Sequence, residues 1–239
     1  MELKDLEPKF KKIISNFTEQ LKLRLKNNLK SVILYGSLAS GQHSRRHSDI
    51  NILVLLYTVD LESLRNIALI KRNLRFRKIM PLAFDENYIK NSTDTFPIEF
   101  LDMREKHIVL WGEDCLKDIR IETANLRHQC EWELKSKIIK MQQFYINSRG
   151  KDRALKHLLL NSLPSLFVIF KNILRLKHTA LEGNNIILDE MVKNFGIDKT
   201  IFYNLLEARA GNYKITDTQK TFSRILTELV RLAGAVDNL

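Results

Sequence analysis

Two short apolar runs, each joined to a polar signature, constrain this chain more than any other feature. The first, Val32-Ile33-Leu34, runs into Tyr35-Gly36-Ser37. The second, Ile52-Leu53-Val54-Leu55-Leu56, is entered through Asp49-Ile50-Asn51, with eleven residues between Ser37 and Asp49. Runs this short and this apolar, set off by polar and small residues, read as buried strands. A Gly-Ser pair at the end of a strand lets backbone N–H groups approach a phosphate with no Cβ in the way, and the serine hydroxyl adds a donor. In the second strand the period of two puts Asp49 and Asn51 on one face. An aspartate with a second oxygen ligand two residues on suits a hard cation such as Mg²⁺ beside a triphosphate.

The order and spacing of these residues resemble the DNA polymerase β-like nucleotidyltransferase superfamily, whose signature is a Gly-Ser pair, a spacer of this length and Asp-x-Asp or Asp-x-Glu in a hydrophobic strand. The likeness covers roughly residues 31 to 114, ending in the run Val109-Leu110-Trp111-Gly112-Glu113-Asp114. It implies a Mg²⁺-dependent transfer of a nucleoside monophosphate from an NTP, ATP above all, to an acceptor hydroxyl. Gly36, Ser37 and Ser48 would hold the nucleotide, and Asp49 would bridge one or two Mg²⁺ ions with Asn51. The family's third acidic residue comes from a later strand, which assigns it to Glu99, with Asp102 as the alternative; it would complete the metal set or act as general base. Arg45 or Arg46 could neutralise phosphate charge.

Asn51 departs from that pattern. An amide oxygen is neutral and monodentate, so it attracts Mg²⁺ less than a carboxylate and leaves a positive charge uncompensated. Loss of one well-placed charge at a catalytic site commonly costs orders of magnitude in rate. Two readings follow: a transferase that tolerates Asn51, and a nucleotide-binding or regulatory protein of the same fold without transfer chemistry.

Net charge is +11. Its densest patch, Lys71-Arg72-Asn73-Leu74-Arg75-Phe76-Arg77-Lys78, holds five cations and no acid, and could serve a triphosphate, a nucleic acid or simply a solvated helix end. Two cysteines, Cys115 and Cys130, have no partner at metal-ligand spacing and read as reduced thiols of a cytoplasmic protein. The apolar region Leu158 to Phe170 is too short for a membrane span and contains Pro164, so no membrane is expected. His43 and His47 lie four apart in the loop between the motif halves, a weak pair for a metal. No Walker or dinucleotide fingerprint occurs, and the arginine-to-histidine spacing of helical-domain ribonucleases is missing.

Periodicity divides the chain. Residues 1–120 predict the order α, β, β, α, β, α, β, with strands at 31–35, 49–57, 79–84 and 98–102 and helices on one side of a small mixed sheet, the nucleotidyltransferase core of an α+β protein. Residues 121–239 predict an all-α bundle of five helices, at 122–147, 153–178, 185–195, 199–208 and 217–236, able to pair as a homodimer through apolar stripes. In this family the acceptor surface would belong to that helical half.

Overall fold

The computed structural model describes residues 5–41, 49–177, 181 and 183–239. Ser48, Arg45, Arg46, His43 and His47 lie outside the described residues. One compact unit reaches to Ile121, and a second spans Glu122–Leu239.

In the first unit, helix α1 (Pro8–Leu25) starts at a proline, whose fixed φ suits the first helical position. Phe10, Ile14, Phe17, Leu21 and Leu25 recur on its buried face. Strands β1 (Leu29–Tyr35) and β2 (Ile50–Leu56) follow. Asp60 caps α2 (Leu61–Lys71), accepting from the Ser63 N–H at 2.7 Å. A 3-10 turn (Leu74–Phe76) leads to β3 (Ile79–Asp85), whose last residue caps α3 (Glu86–Ser92). Helix α4 (Pro97–Glu105) and strand β4 (His107–Gly112) complete the unit.

The four strands stand in the order β3-β2-β1-β4. β1 is antiparallel to β2 and β4, while β2 and β3 are parallel; the parallel pair is possible because α2 carries the chain back across the sheet. One face packs Val32, Leu34, Ile52, Val54 and Ile79 against α1 and α2. The other packs Ile33, Leu53 and Leu55 against Ile89 of α3 and Phe100 and Met103 of α4. Helices therefore cover both faces, not one as the sequence suggested, since both alternating residue sets of β1 and β2 are apolar.

The stretch 98–102 is helix, not strand. Ile98 and Phe100 mimic a two-residue period, but Pro97 stands in the first turn and Leu101 and Met103 are buried with them. The fourth strand is instead His107–Gly112, a β-branched and aromatic run.

The second unit is a bundle of α5 (Thr123–Asn147), α6 (Asp152–Leu176), α7 (Asn184–Phe195), α8 (Lys199–Ala210) and α9 (Thr218–Asp237). α6 is its axis and packs on the other four. Phe170 meets the Phe202 ring edge-on at 5.2 Å. By length and composition α6 could cross a membrane, but 56% of its apolar window is buried inside the protein, as in a core helix.

Candidate functional site

The two strands of the motif, β1 and β2, meet their neighbours β4 and β3 at one edge of the sheet. β1 stops at Tyr35 and the chain turns at Gly36, where φ is +78°. A Cβ there would lie 2.8 Å from Asn51 Nδ2. The positive φ favours glycine there, and a Cβ would have to displace the Asn51 amide. The turn closes with Ser40 N–H donating to Gly36 O at 3.0 Å and Ser40 Oγ donating to Ser37 O at 3.1 Å. Leu38 and Ala39 anchor it in the core. Among the described residues none accepts the N–H of Ser37 or Leu38, the kind of backbone donor an anion cradle uses. The structure thus brings Gly36 and Asn51 into contact, with Ser37 next along the turn.

Asp49 is exposed and stands one residue before β2. Asn51 pairs with Tyr35 of β1 on one side and Met80 of β3 on the other, and Tyr35 pairs with His107 of β4. Directly paired residues point to the same face. The row across this edge of the sheet is therefore His107, Tyr35, Asn51 and Met80, spaced by roughly 4.8 Å per strand.

His107 is committed locally: its Nδ1 lies 3.0 Å from Met103 O, and its Nε2 lies 3.0 Å from Asp114 Oδ1. Asp114 also accepts the N–H groups of Leu116 and Lys117. Burial raises the Tyr35 phenol above its ordinary value, keeping it a neutral donor. Met80 is half exposed and offers no oxygen.

The assignment of Glu99 needs correction on one point. It lies exposed in the first turn of α4, and Asp102 lies on the same helix, so neither belongs to a strand of the sheet. The strand beside β2 is β3, and its residue level with Asn51 is Met80. The helix between β2 and β3 was the available signal that the two strands lie side by side and parallel, while the register that sets Met80 level with Asn51 comes from the structure.

The donor set does not fit two divalent ions. At this edge Asp49 is the lone carboxylate of the motif, Asn51 is neutral, and the neighbouring strand positions are occupied by a thioether, a phenol and a committed imidazole. Among the described residues no group of three or more His, Cys, Asp or Glu side chains could hold a metal.

Positive charge gathers at the same edge. Ile50 N–H donates to Lys78 O at 2.8 Å, which sets Lys78 beside Asp49 one step before the paired strands begin. The Lys71 ammonium donates to Phe76 O at 3.1 Å, Arg77 O at 3.2 Å and Ile79 O. Burial lowers its pKa, and the Asp49 carboxylate pulls it partly back. Phe76 is buried against Phe17, ring centroids 5.2 Å apart. The segment from 71 to 79 is thus folded around one lysine and one phenylalanine, leaving Arg72, Arg75, Arg77 and Lys78 exposed.

No family model and no curated protein matches the sequence. Among solved structures the chain is similar to a spectinomycin adenyltransferase from Enterococcus faecialis, crystallised with ATP and spectinomycin, with a TM-score of 0.56 and 14% identity. The likeness spans 92% of this chain and 98% of that one. It shows the fold: a small mixed sheet with helices, followed by a helical region, as in that adenyltransferase.

Proposed function

We propose that this protein binds a nucleoside triphosphate on the Gly36–Ser37 turn and has lost two-metal nucleotidyl transfer. The observation that carries the reading is the row His107, Tyr35, Asn51, Met80. It offers a phosphate cradle intact at Gly36 beside strand positions stripped of carboxylates. The turn would supply backbone N–H donors and a hydroxyl to β/γ phosphate oxygens. Attack by an acceptor hydroxyl at the α-phosphorus needs a base and cations to offset developing charge, and no position of that row is a carboxylate. Such a protein would act through the nucleotide-bound state. An ATP preference, a cytoplasmic setting and a partner that reads the nucleotide-bound state extend this reading.

A second reading, transfer on a single Mg²⁺ held by Asp49 and Asn51, is favoured by the survival of Asp49 at the head of β2. The two are separated by following ATP binding and pyrophosphate release together. The first expects saturable ATP binding, abolished by Ser37→Glu, and no Mg²⁺-dependent pyrophosphate. Release of pyrophosphate that Asp49→Ala abolishes establishes the second. Absence of any nucleotide binding overturns both.

A further inference from the structure

We infer that the triphosphate in this site is neutralised by the protein's own cations, from the segment Arg72–Lys78, and that binding requires no divalent ion. The inference rests on the nucleotide-binding reading above. ATP carries close to four negative charges when no metal accompanies it, and a site that takes it must supply compensating charge. In a carboxylate-lined site that charge is brought by Mg²⁺, because bare phosphates and carboxylates repel. Here the balance is inverted. From Ser63 to Phe84 the chain has no acidic residue and six basic ones: Arg65, Lys71, Arg72, Arg75, Arg77 and Lys78.

One hydrogen bond ties this charge to the edge that carries Asp49, and two further features make it usable there. The Ile50–Lys78 hydrogen bond places the segment beside Asp49. The Lys71 ammonium, held by three carbonyls, and the buried Phe76 give it one fixed shape, so little ordering entropy is lost when a ligand arrives. Among the described residues no carboxylate pairs with Arg72, Arg75, Arg77 or Lys78, so their charge is available. Arginine suits the task, since its planar fork grips two phosphate oxygens at once. Magnesium would meet one exposed carboxylate of the motif, Asp49, with Lys78 beside it, and would cancel ligand charge that the arginines otherwise use.

The test is ATP titrated calorimetrically into the full chain, once in excess EDTA and once in excess Mg²⁺. Affinity in EDTA equal to or tighter than in Mg²⁺ supports the inference. Weaker affinity in EDTA overturns it while leaving the nucleotide-binding reading intact. Arg75→Gln/Arg77→Gln should weaken ATP binding in EDTA by about tenfold, as two exposed charges of ordinary worth are lost, with an unchanged melting temperature. Unchanged affinity in that variant overturns the inference as well. Absence of ATP binding in both buffers removes it together with the reading beneath it. RNA bound in preference to ATP, with a steep salt dependence, would reassign the segment to nucleic acid.

Discussion

Gly36→Ala probes the contact on which the candidate site depends. A methyl group there meets two separate costs. Alanine at φ +78° occupies the left-handed region, at about 1–2 kcal/mol. Its Cβ would also stand 2.8 Å from Asn51 Nδ2, forcing the amide off its rotamer at about 1 kcal/mol. The total is about 2–3 kcal/mol. Asn51→Ala separates the two, because the nearest atom then left is Asn51 Cβ at 3.9 Å, an ordinary contact. In that background Gly36→Ala should cost only the backbone part, and the double-mutant cycle should return a coupling of about 1 kcal/mol. The assay is guanidinium unfolding followed by Trp111 fluorescence in a Trp132→Phe background, because Trp111 pairs with Val32 in β1 and reports the first unit alone. Equal costs of Gly36→Ala with and without the Asn51 side chain would refute the argument that the amide fills the glycine's space.

Other predictions concern charge and burial. Asn51→Asp combined with Met80→Glu rebuilds an oxygen ligand set across β2 and β3 and should tighten Mg²⁺ binding by about tenfold or more per added carboxylate; calorimetry with Mg²⁺ alone, showing no gain, would contradict the assigned strand register. Lys71→Met leaves the carbonyls of Phe76, Arg77 and Ile79 without their shared donor and should cost about 1–3 kcal/mol, with faster amide exchange across residues 74–79. Burial pushes the Cys130 thiol up from 9.0 to about 12. The folded state therefore keeps that proton after the unfolded chain has lost it, so stability is complete below about pH 9 and falls as pH rises toward 12. Denaturation midpoints of the native protein and Cys130→Ala between pH 8 and 11 check this: the variant should show the shallower decline.

The helices were legible because their apolar spacing is long and regular, as in α6, where Leu155, Leu159, Leu163, Leu166, Phe170 and Ile173 are all buried. β1, β2 and β3 were legible from their short apolar runs. α4 was not, since Ile98 and Phe100 alternate over too few residues to separate a strand from a helix, and only the packing of Leu101 and Met103 decides it. That misreading made a strand of the segment carrying Glu99 and hid β4. The Gly36–Asn51 contact and the Met80 neighbour are tertiary facts: they depend on which strands pair and in what register, which single-strand patterns do not encode. The cationic segment was visible as composition, but its folding around Lys71 and its attachment beside Asp49 through Lys78 appear only in the folded chain.

The most direct measurement is a crystal soaked with a nonhydrolysable ATP analogue and Mn²⁺, with anomalous scattering used to locate the metal. A triphosphate on the Gly36–Ser37 turn, beside Arg72–Lys78, with no Mn²⁺ peak between Asp49 and Asn51, is the predicted result. Two Mn²⁺ peaks bridged by Asp49 next to the same triphosphate would contradict it.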